Sequence, residues 1–165
     1  MDLYQSMITG TSQRVDVPDL NFLQLIVIVK SVLKAIYLYK KENPLDILQY
    51  FPLRSTNIKE TPQIVYLFAR KVSVFSQVLI NIFRRESLCL ERSIITCAAL
   101  RSVGIEAQVI IGSRASANSS TNYLYHSWIE VLNKPINDVD GVKQYFNEIH
   151  RFPMEVNNEK SESSF

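Results

Sequence analysis

The pattern of apolar residues changes from helix-like to strand-like within the stretch RESLCLERSIITCAALRSVGIEAQVIIGSR, residues 85–114. Residues 88–103 carry small and aliphatic side chains at helical spacing and predict a buried helix, with Ser87 as its N-cap. Gly104 follows, where a left-handed residue commonly ends a helix. The remainder, EAQVIIGSR, is rich in branched aliphatic residues and predicts a strand. A cysteine, Cys89, therefore lies in the first turn of a predicted core helix.

Three helical segments are predicted before this stretch. The first spans residues 20–41, and Asn43 followed by Pro44 is typical of an N-cap that opens a short helix through LDILQYF. Thr61 and Pro62 repeat that signature before QIVYLFARKVSVFSQVLINIF. This third segment is apolar around most of its surface, so we expect it to be buried on several sides.

Composition excludes several classes of protein. The chain has 165 residues, of which 47% are hydrophobic and 21% charged, as expected for one globular domain. A formal charge of +2 predicts neither nucleic-acid nor membrane-surface binding. The apolar run FLQLIVIVKSVLKAIYLYKK is interrupted by Gln24, Lys30 and Lys34, which favours a buried helix over a membrane span. Two cysteines without a signal peptide predict a cytoplasmic protein with reduced thiols.

The segment YHSWIEVL predicts a second strand with His126, Trp128 and Glu130 on one face. We expect Glu130, at the strand end, to be exposed to solvent. The preceding segment ASANSSTNY predicts a loop. The following NKP predicts a turn, after which IND begins a return strand that carries Asp138.

A cysteine, a histidine and a carboxylate thus follow one another along this half of the chain. A nucleophilic thiol must be deprotonated, and the first-turn N–H groups of a helix stabilise a thiolate at Cys89. An imidazole, here His126, can take the proton, and a third group, here Asp138, can hold that imidazole in one tautomer. A hairpin turn near Leu132 brings the last two together, although a one-residue shift in register would reverse a face.

Each of these residues also has an ordinary structural interpretation. A cysteine in an apolar helix is more often core than catalyst, and Cys97, in mid-helix, is the example here. His126 is alternatively a structural histidine, and Asp138 a turn residue. Arg92 could reach the site or pair with a neighbouring glutamate, and we favour the structural role. The few cysteines and histidines make a poor zinc site, and no metal ligand is predicted.

Residues 85–145 contain a motif series whose order and spacing resemble one known family. Its members are Cys89, Leu90, Arg92, Ser93, Arg101, Gly104, Ile105, Ala107, Gly112, Arg114, His126, Trp128, Glu130, Val131, Asn137 and Asp138. The series resembles the transglutaminase-like cysteine peptidases that process lasso peptide precursors, the microcin-processing B proteins or their separate peptidase half. Ser127 stands where that family more often has alanine.

The resemblance implies an α+β fold with a papain-like or transglutaminase-like core. In that core a central helix carrying Cys89 packs on an antiparallel sheet carrying His126 and Asp138. The implied reaction is hydrolysis of the leader peptide from a ribosomally made precursor by a Cys-His-Asp triad, without metal or other cofactor. A non-catalytic scaffold that holds the precursor for a cyclase, and an acyl-transfer enzyme of the transglutaminase type, are the alternatives.

The resemblance also implies an organisation and a set of partners. We expect an N-terminal helical extension at 1–84 and a catalytic core at 85–153 that forms one compact unit with it. The remaining residues, 154–165, have little apolar surface to bury, and their composition predicts a mobile tail. The implied partners are the leader region of the precursor, a lasso cyclase and a separate leader-recognition protein. The last is expected because no leader-binding domain is apparent here, so another protein would have to concentrate the substrate.

Overall fold

The computed structural model describes residues 17–54, 61–115 and 123–153. The helical half comprises α1 (Phe22–Tyr39), a 3-10 helix (Pro44–Tyr50), α2 (Pro62–Phe83) and α3 (Cys89–Ser102). The second half comprises β1 (Gln108–Ala115), β2 (Tyr123–Val131), β3 (Lys134–Pro135), the short α4 (Val142–Tyr145) and β4 (Asn147–Phe152). The predicted α+β class is confirmed. Most of the predicted loop at 115–123, and the predicted tail at 154–165, lie outside the described residues.

The helix boundaries follow local capping chemistry. Asn21 and Gln24 form a reciprocal capping box at the start of α1. Asn43 accepts a hydrogen bond from the backbone N–H of Leu45, as the Asn-Pro signature predicts. Gly104 has φ 85°, the left-handed conformation predicted for the end of α3.

The start of α3 differs from the prediction. Leu88, and not Ser87, is the N-cap residue, and its apolar side chain caps nothing. The Ser87 hydroxyl instead accepts a hydrogen bond from Nη1 of Arg92 at 3.1 Å. The prediction of Ser87 as the N-cap was therefore wrong, because an arginine one turn into the helix occupies that oxygen. The consequence is that the first-turn N–H groups of α3 have no side-chain cap.

The sheet is antiparallel, with strand order β3-β2-β1-β4. Strands β2 and β3 are joined by a two-residue turn in which Leu132 and Asn133 have φ of 52° and 59°. Two successive positive φ values are typical of the tight hairpin turn that matches strand twist. The hairpin is centred where the sequence predicted it.

Helix α3 lies at the centre of the main hydrophobic core. It packs against α1, α2 and one face of β1 and β2. Its fully buried apolar residues are Ile94, Ile95, Cys97, Ala98, Ala99 and Leu100. Because almost every face of α3 is covered, the packing holds the helix start, and Cys89 with it, in a fixed position relative to the sheet.

Helix α2 is less buried than its composition suggested. Phe68, Val72 and Ile80 are buried, but Val74, Val78 and Ile82 are 50–67% exposed. The expectation of burial on several sides was wrong, because α1 and α3 cover only part of this helix in the described structure. Both α1 and α2 are long and apolar enough to span a membrane by length and composition, a test that the core helices of soluble proteins also pass.

Candidate active site

Cys89 is the first residue of α3, and it is exposed to solvent. A thiolate at this position faces the positive end of the helix dipole and the uncapped N–H groups of the first turn. Cys97, two turns further along, is fully buried, and burial raises the pKa of its thiol to about 12 although Arg101 opposes the shift. Its Sγ lies 3.3 Å from the carbonyl oxygen of Ala107, which it contacts as a weak donor. The two cysteines therefore occupy opposite chemical environments.

His126 lies on β2, opposite Gly112 of β1. Its ring centroid is 6.3 Å from that of Trp128, in a stacked arrangement, and 5.2 Å from that of Phe146. A Cβ atom on Gly112 would lie 2.8 Å from the Trp128 ring and 2.9 Å from Cβ of Phe146. The absence of a side chain at Gly112 therefore allows the aromatic residues that flank His126 to pack closely.

Asp138 reaches His126 from an unexpected backbone position. The predicted return strand was wrong in its position, because β3 consists of Lys134 and Pro135, which were predicted as turn, and ends before Ile136, where the strand was predicted to begin. If the register of β3 continued, Asp138 would stand opposite Ser127 and on the opposite face from His126. The chain instead bends after the strand, and Oδ2 of Asp138 lies 2.5 Å from Nε2 of His126.

Asn137 holds this bend against the sheet. Its Oδ1 accepts a hydrogen bond at 2.7 Å from the backbone N–H of Ile129, replacing the carbonyl that a continuing strand would supply. Its Nδ2 is 3.5 Å from Oγ of Ser93 on α3, and that hydroxyl donates to the carbonyl of Ser127 at 3.2 Å. The bend is thereby tied to both the helix that carries Cys89 and the strand that carries His126.

The three predicted site residues meet in one cleft of about 750 Å³. Cys89, His126 and Asp138 all line it, together with Arg92 one turn along α3. Helix α2 forms the facing wall through residues spaced on one side of the helix: Arg70, Ser73, Val74, Gln77, Val78 and Asn81. This wall was not predicted from the sequence. The signal for it was a polar stripe at four-residue spacing, Ser73, Gln77 and Asn81, on a mostly apolar helix that also carries Arg70 and Lys71.

Arg92 connects α3 to that wall. Its Nε donates to Oε1 of Gln77 at 2.9 Å, and its Nη2 donates to Oδ1 of Asn81 at 2.8 Å. Pairing with a neighbouring glutamate was one of the two predicted alternatives, and it is not observed. Glu91 is buried and pairs with Arg84, whose Nη2 lies 2.9 Å from Oε1. The acceptors of Arg92 are thus neutral, and its positive charge lies in the cleft.

Glu130 is buried, and the expectation that it is solvated was wrong. Its Oε1 accepts from Nε1 of Trp128 at 3.0 Å and lies 2.8 Å from Nζ of Lys143, and its Oε2 lies 3.0 Å from Nη2 of Arg151. Burial raises the pKa of Glu130, but the hydrogen bonds from Lys143, Trp128 and Arg151 outweigh it and leave the pKa below its ordinary value. The two cations lie on α4 and β4, and the sequence pattern did not predict that these elements place them beside Glu130.

Within the described ranges, no group of three or more histidine, cysteine, aspartate or glutamate side chains is arranged to hold a metal ion. The chemistry that these residues can perform without one is nucleophilic, with an exposed thiol at a helix start and an oriented imidazole in the same cleft.

Residues 52–151 match the transglutaminase-like superfamily. The chain belongs to this superfamily. The matched region begins before α2 and ends within β4, so it contains the cleft and all three predicted site residues. The superfamily includes cysteine peptidases and acyltransferases. No curated protein and no solved structure matches the chain significantly.

Proposed function

We propose that this member of the transglutaminase-like superfamily is a cysteine peptidase that removes the leader peptide from a lasso peptide precursor. In this proposal Cys89 is the nucleophile, His126 the general base and then acid, and Asp138 the group that orients the imidazole. One observation carries the proposal: His126 is paired to Asp138 at 2.5 Å in the cleft that the exposed Cys89 also lines.

The pairing assigns a task to each ring nitrogen of His126. Because Nε2 faces the Asp138 carboxylate, Nδ1 is the nitrogen left to accept the proton of the Cys89 thiol. The thiolate then attacks the carbonyl carbon of the scissile bond. The imidazolium returns the proton to the leaving amine as the C–N bond breaks, and a thioester remains on Cys89. Water, deprotonated by the same imidazole, hydrolyses the thioester and regenerates the thiol.

The electrostatics of the cleft favour the negative charges that this reaction requires. The uncapped first turn of α3 presents N–H groups at Cys89, and among the described residues the guanidinium of Arg92 is hydrogen-bonded to neutral acceptors only. Both features stabilise a thiolate and, later, an anionic tetrahedral intermediate. They support nucleophilic chemistry over a purely structural role for Cys89.

The shape and composition of the cleft suit a peptide. The α2 wall exposes Val74 and Val78 beside polar residues, so that a substrate side chain meets apolar surface close to Cys89. A cleft of about 750 Å³ accommodates several residues of an extended chain. An apolar side chain near the scissile bond is the substrate feature that this wall favours.

The choice of a lasso precursor rests on the motif series between residues 85 and 145. The same resemblance is the basis for the proposed partners, which are the leader region, a separate leader-recognition protein and a lasso cyclase, all in the cytoplasm. The non-catalytic scaffold and the acyl-transfer enzyme remain distinct outcomes of the test, because they differ from a peptidase in whether a bond is cleaved and in what accepts the acyl group.

The test is incubation of the protein with a lasso peptide precursor, with and without the proposed leader-recognition protein, in oxygen-18 water, followed by mass spectrometry. A leader peptidase yields two fragments, and the new carboxylate of the leader carries oxygen-18. An acyl-transfer enzyme yields a leader joined to an added amine without the label. An intact precursor that nevertheless binds the protein would identify a scaffold and contradict the proposal.

A further inference from the structure

The oxyanion of the tetrahedral intermediate in the proposed reaction needs a second hydrogen-bond donor beside the backbone N–H of Cys89. An oxyanion donor must be held in place before the reaction and directed into the cleft. Two side-chain amides on the α2 wall, Gln77 and Asn81, meet the requirement of position, since both line the cleft with Cys89.

The hydrogen bonds of the two amides distinguish them. Gln77 is engaged at both ends of its amide, because its Oε1 accepts from Nε of Arg92 and one N–H of its Nε2 donates to Oγ1 of Thr96 at 3.0 Å, which leaves a single N–H. Asn81 is engaged only through Oδ1, which accepts from Nη2 of Arg92. Within residues 17–54, 61–115 and 123–153, its Nδ2 has no acceptor. Asn81 therefore has two free N–H groups in the cleft.

Arg92 fixes the direction in which those N–H groups point. A guanidinium only donates, so the oxygen of the Asn81 amide must face Arg92 and its nitrogen must face away. Arg92 is itself held at three points, by Gln77, by Asn81 and by the Ser87 hydroxyl. Its positive charge also polarises the amide that it contacts, which strengthens the N–H groups as donors.

We infer that Asn81 is a further catalytic residue whose Nδ2 donates to the oxyanion beside the backbone N–H of Cys89, and that Arg92 is the residue that positions it. This inference rests on the proposed function, since it requires an acyl transfer to Cys89. It also gives a reason why Ser87 does not cap α3, because the Ser87 hydroxyl accepts the third hydrogen bond that holds Arg92 in place.

The experiment uses two small reagents that distinguish stabilisation of the oxyanion from reactivity of the thiol. p-Nitrophenyl acetate transfers its acetyl group to Cys89 through a tetrahedral intermediate, and the released p-nitrophenolate is followed by absorbance. Iodoacetamide alkylates the same thiolate by displacement of iodide at carbon, with no oxyanion. The variants are Asn81→Ala and the near-isosteric Asn81→Leu. The matched control is Ile82→Ala, which changes the next residue of α2, an exposed residue that does not line the cleft.

We expect the acylation rate to fall about 100-fold in both Asn81 variants while the alkylation rate stays at the wild-type value. Arg92→Lys keeps a positive charge but loses the planar fork, so it should slow acylation more than alkylation. Ile82→Ala should change neither rate. Since Asn81 is on the surface, unchanged melting temperatures are expected for its variants.

Wild-type acylation in both Asn81 variants would overturn the inference and leave the proposed nucleophile standing. Equal losses of acylation and alkylation would also overturn it, since Asn81 would then act on the thiol and not on the oxyanion. A wild-type protein that is alkylated at Cys89 but never acylated would overturn both the inference and the proposed function.

Discussion

Oδ2 of Asp138 lies 2.5 Å from Nε2 of His126, although the register of their hairpin, if continued, would put the two residues on opposite faces of the sheet. The bend after β3 removes this conflict. Asn137 stabilises the bend, because its side-chain oxygen accepts a hydrogen bond from the N–H of Ile129 in place of a backbone carbonyl. The contact between the two proposed triad members thus depends on an irregularity of the strand and not on its regular pairing.

Asp138→Asn should impair cleavage less than His126→Ala. An asparagine oxygen can still accept a hydrogen bond from the imidazole, although it cannot stabilise the imidazolium by charge. Loss of the orienting carboxylate costs about 10⁴-fold in a serine triad, and a thiol depends on it less. Single-turnover cleavage should therefore show residual activity in Asp138→Asn and none above background in His126→Ala. Wild-type rates in Asp138→Asn would make Asp138 a turn residue.

Gly112→Ala should displace the aromatic residues that pack against His126. The added Cβ would lie 2.8 Å from the Trp128 ring, which stacks on His126, so the ring must shift. Overpacking of this kind costs about 1–3 kcal/mol of stability. We expect a lower melting temperature and a lower turnover number. Gly141→Ala is the matched control, because among the described residues its added Cβ would meet only Tyr145, at an ordinary 3.5 Å. Equal behaviour of the two variants would argue against the packing role of Gly112.

Glu130→Gln should lower the free energy of unfolding at pH 7 by about 2 kcal/mol, because it removes the charge from the hydrogen bonds that a buried carboxylate accepts from two cations. The folded pKa of Glu130 is below its ordinary value of 4.5, so its stabilising contribution is present above that pH and is lost as the pH falls through the folded pKa. The difference from wild type should therefore shrink below about pH 4.5.

Glu148→Gln is the control for this measurement. Glu148 also contacts Arg151, but its side chain is partly exposed, so the same substitution should cost little at any pH. Denaturant unfolding at several pH values compares the two variants. A pH-independent difference between Glu130→Gln and wild type would show that the ionised form of Glu130 does not stabilise the fold.

Cys97→Ala should leave cleavage intact and cost about 1 kcal/mol of stability, since it removes a buried sulfur from the core. In the native wild-type protein, iodoacetamide should modify Cys89 and spare Cys97, because Cys97 is buried and its pKa is raised to about 12. Peptide mapping of the alkylated protein checks this. Equal modification of both thiols in the folded state would contradict the distinction between them.

Much of the fold could be predicted from local patterns. The helix boundaries near Asn43 and Gly104, the strand that carries His126 and the hairpin centre near Leu132 follow from capping, periodicity and turn chemistry acting over a few residues. The superfamily match confirms the coarser part of the resemblance. The division into an extension at 1–84 and a core at 85–153 stays a prediction.

What could not be predicted depends on contacts between distant segments. Ser87 does not cap α3 because its hydroxyl accepts a hydrogen bond from Arg92, and Glu130 is buried because cations on α4 and β4 pair with it. Neither contact can be inferred from the spacing of residues in the sequence. The α2 wall was overlooked for a similar reason, since a polar stripe on an apolar helix does not reveal whether it faces solvent or a cleft.

Trapping the acyl-enzyme tests directly whether Cys89 is the nucleophile. The protein is mixed with excess precursor and the proposed leader-recognition protein, quenched in acid within the first turnover and digested, and the peptides are analysed by mass spectrometry. We expect a leader peptide joined by a thioester to Cys89, present in the Cys97→Ala variant and absent in Cys89→Ala. An intact precursor with no adduct, or a thioester on Cys97, would contradict it.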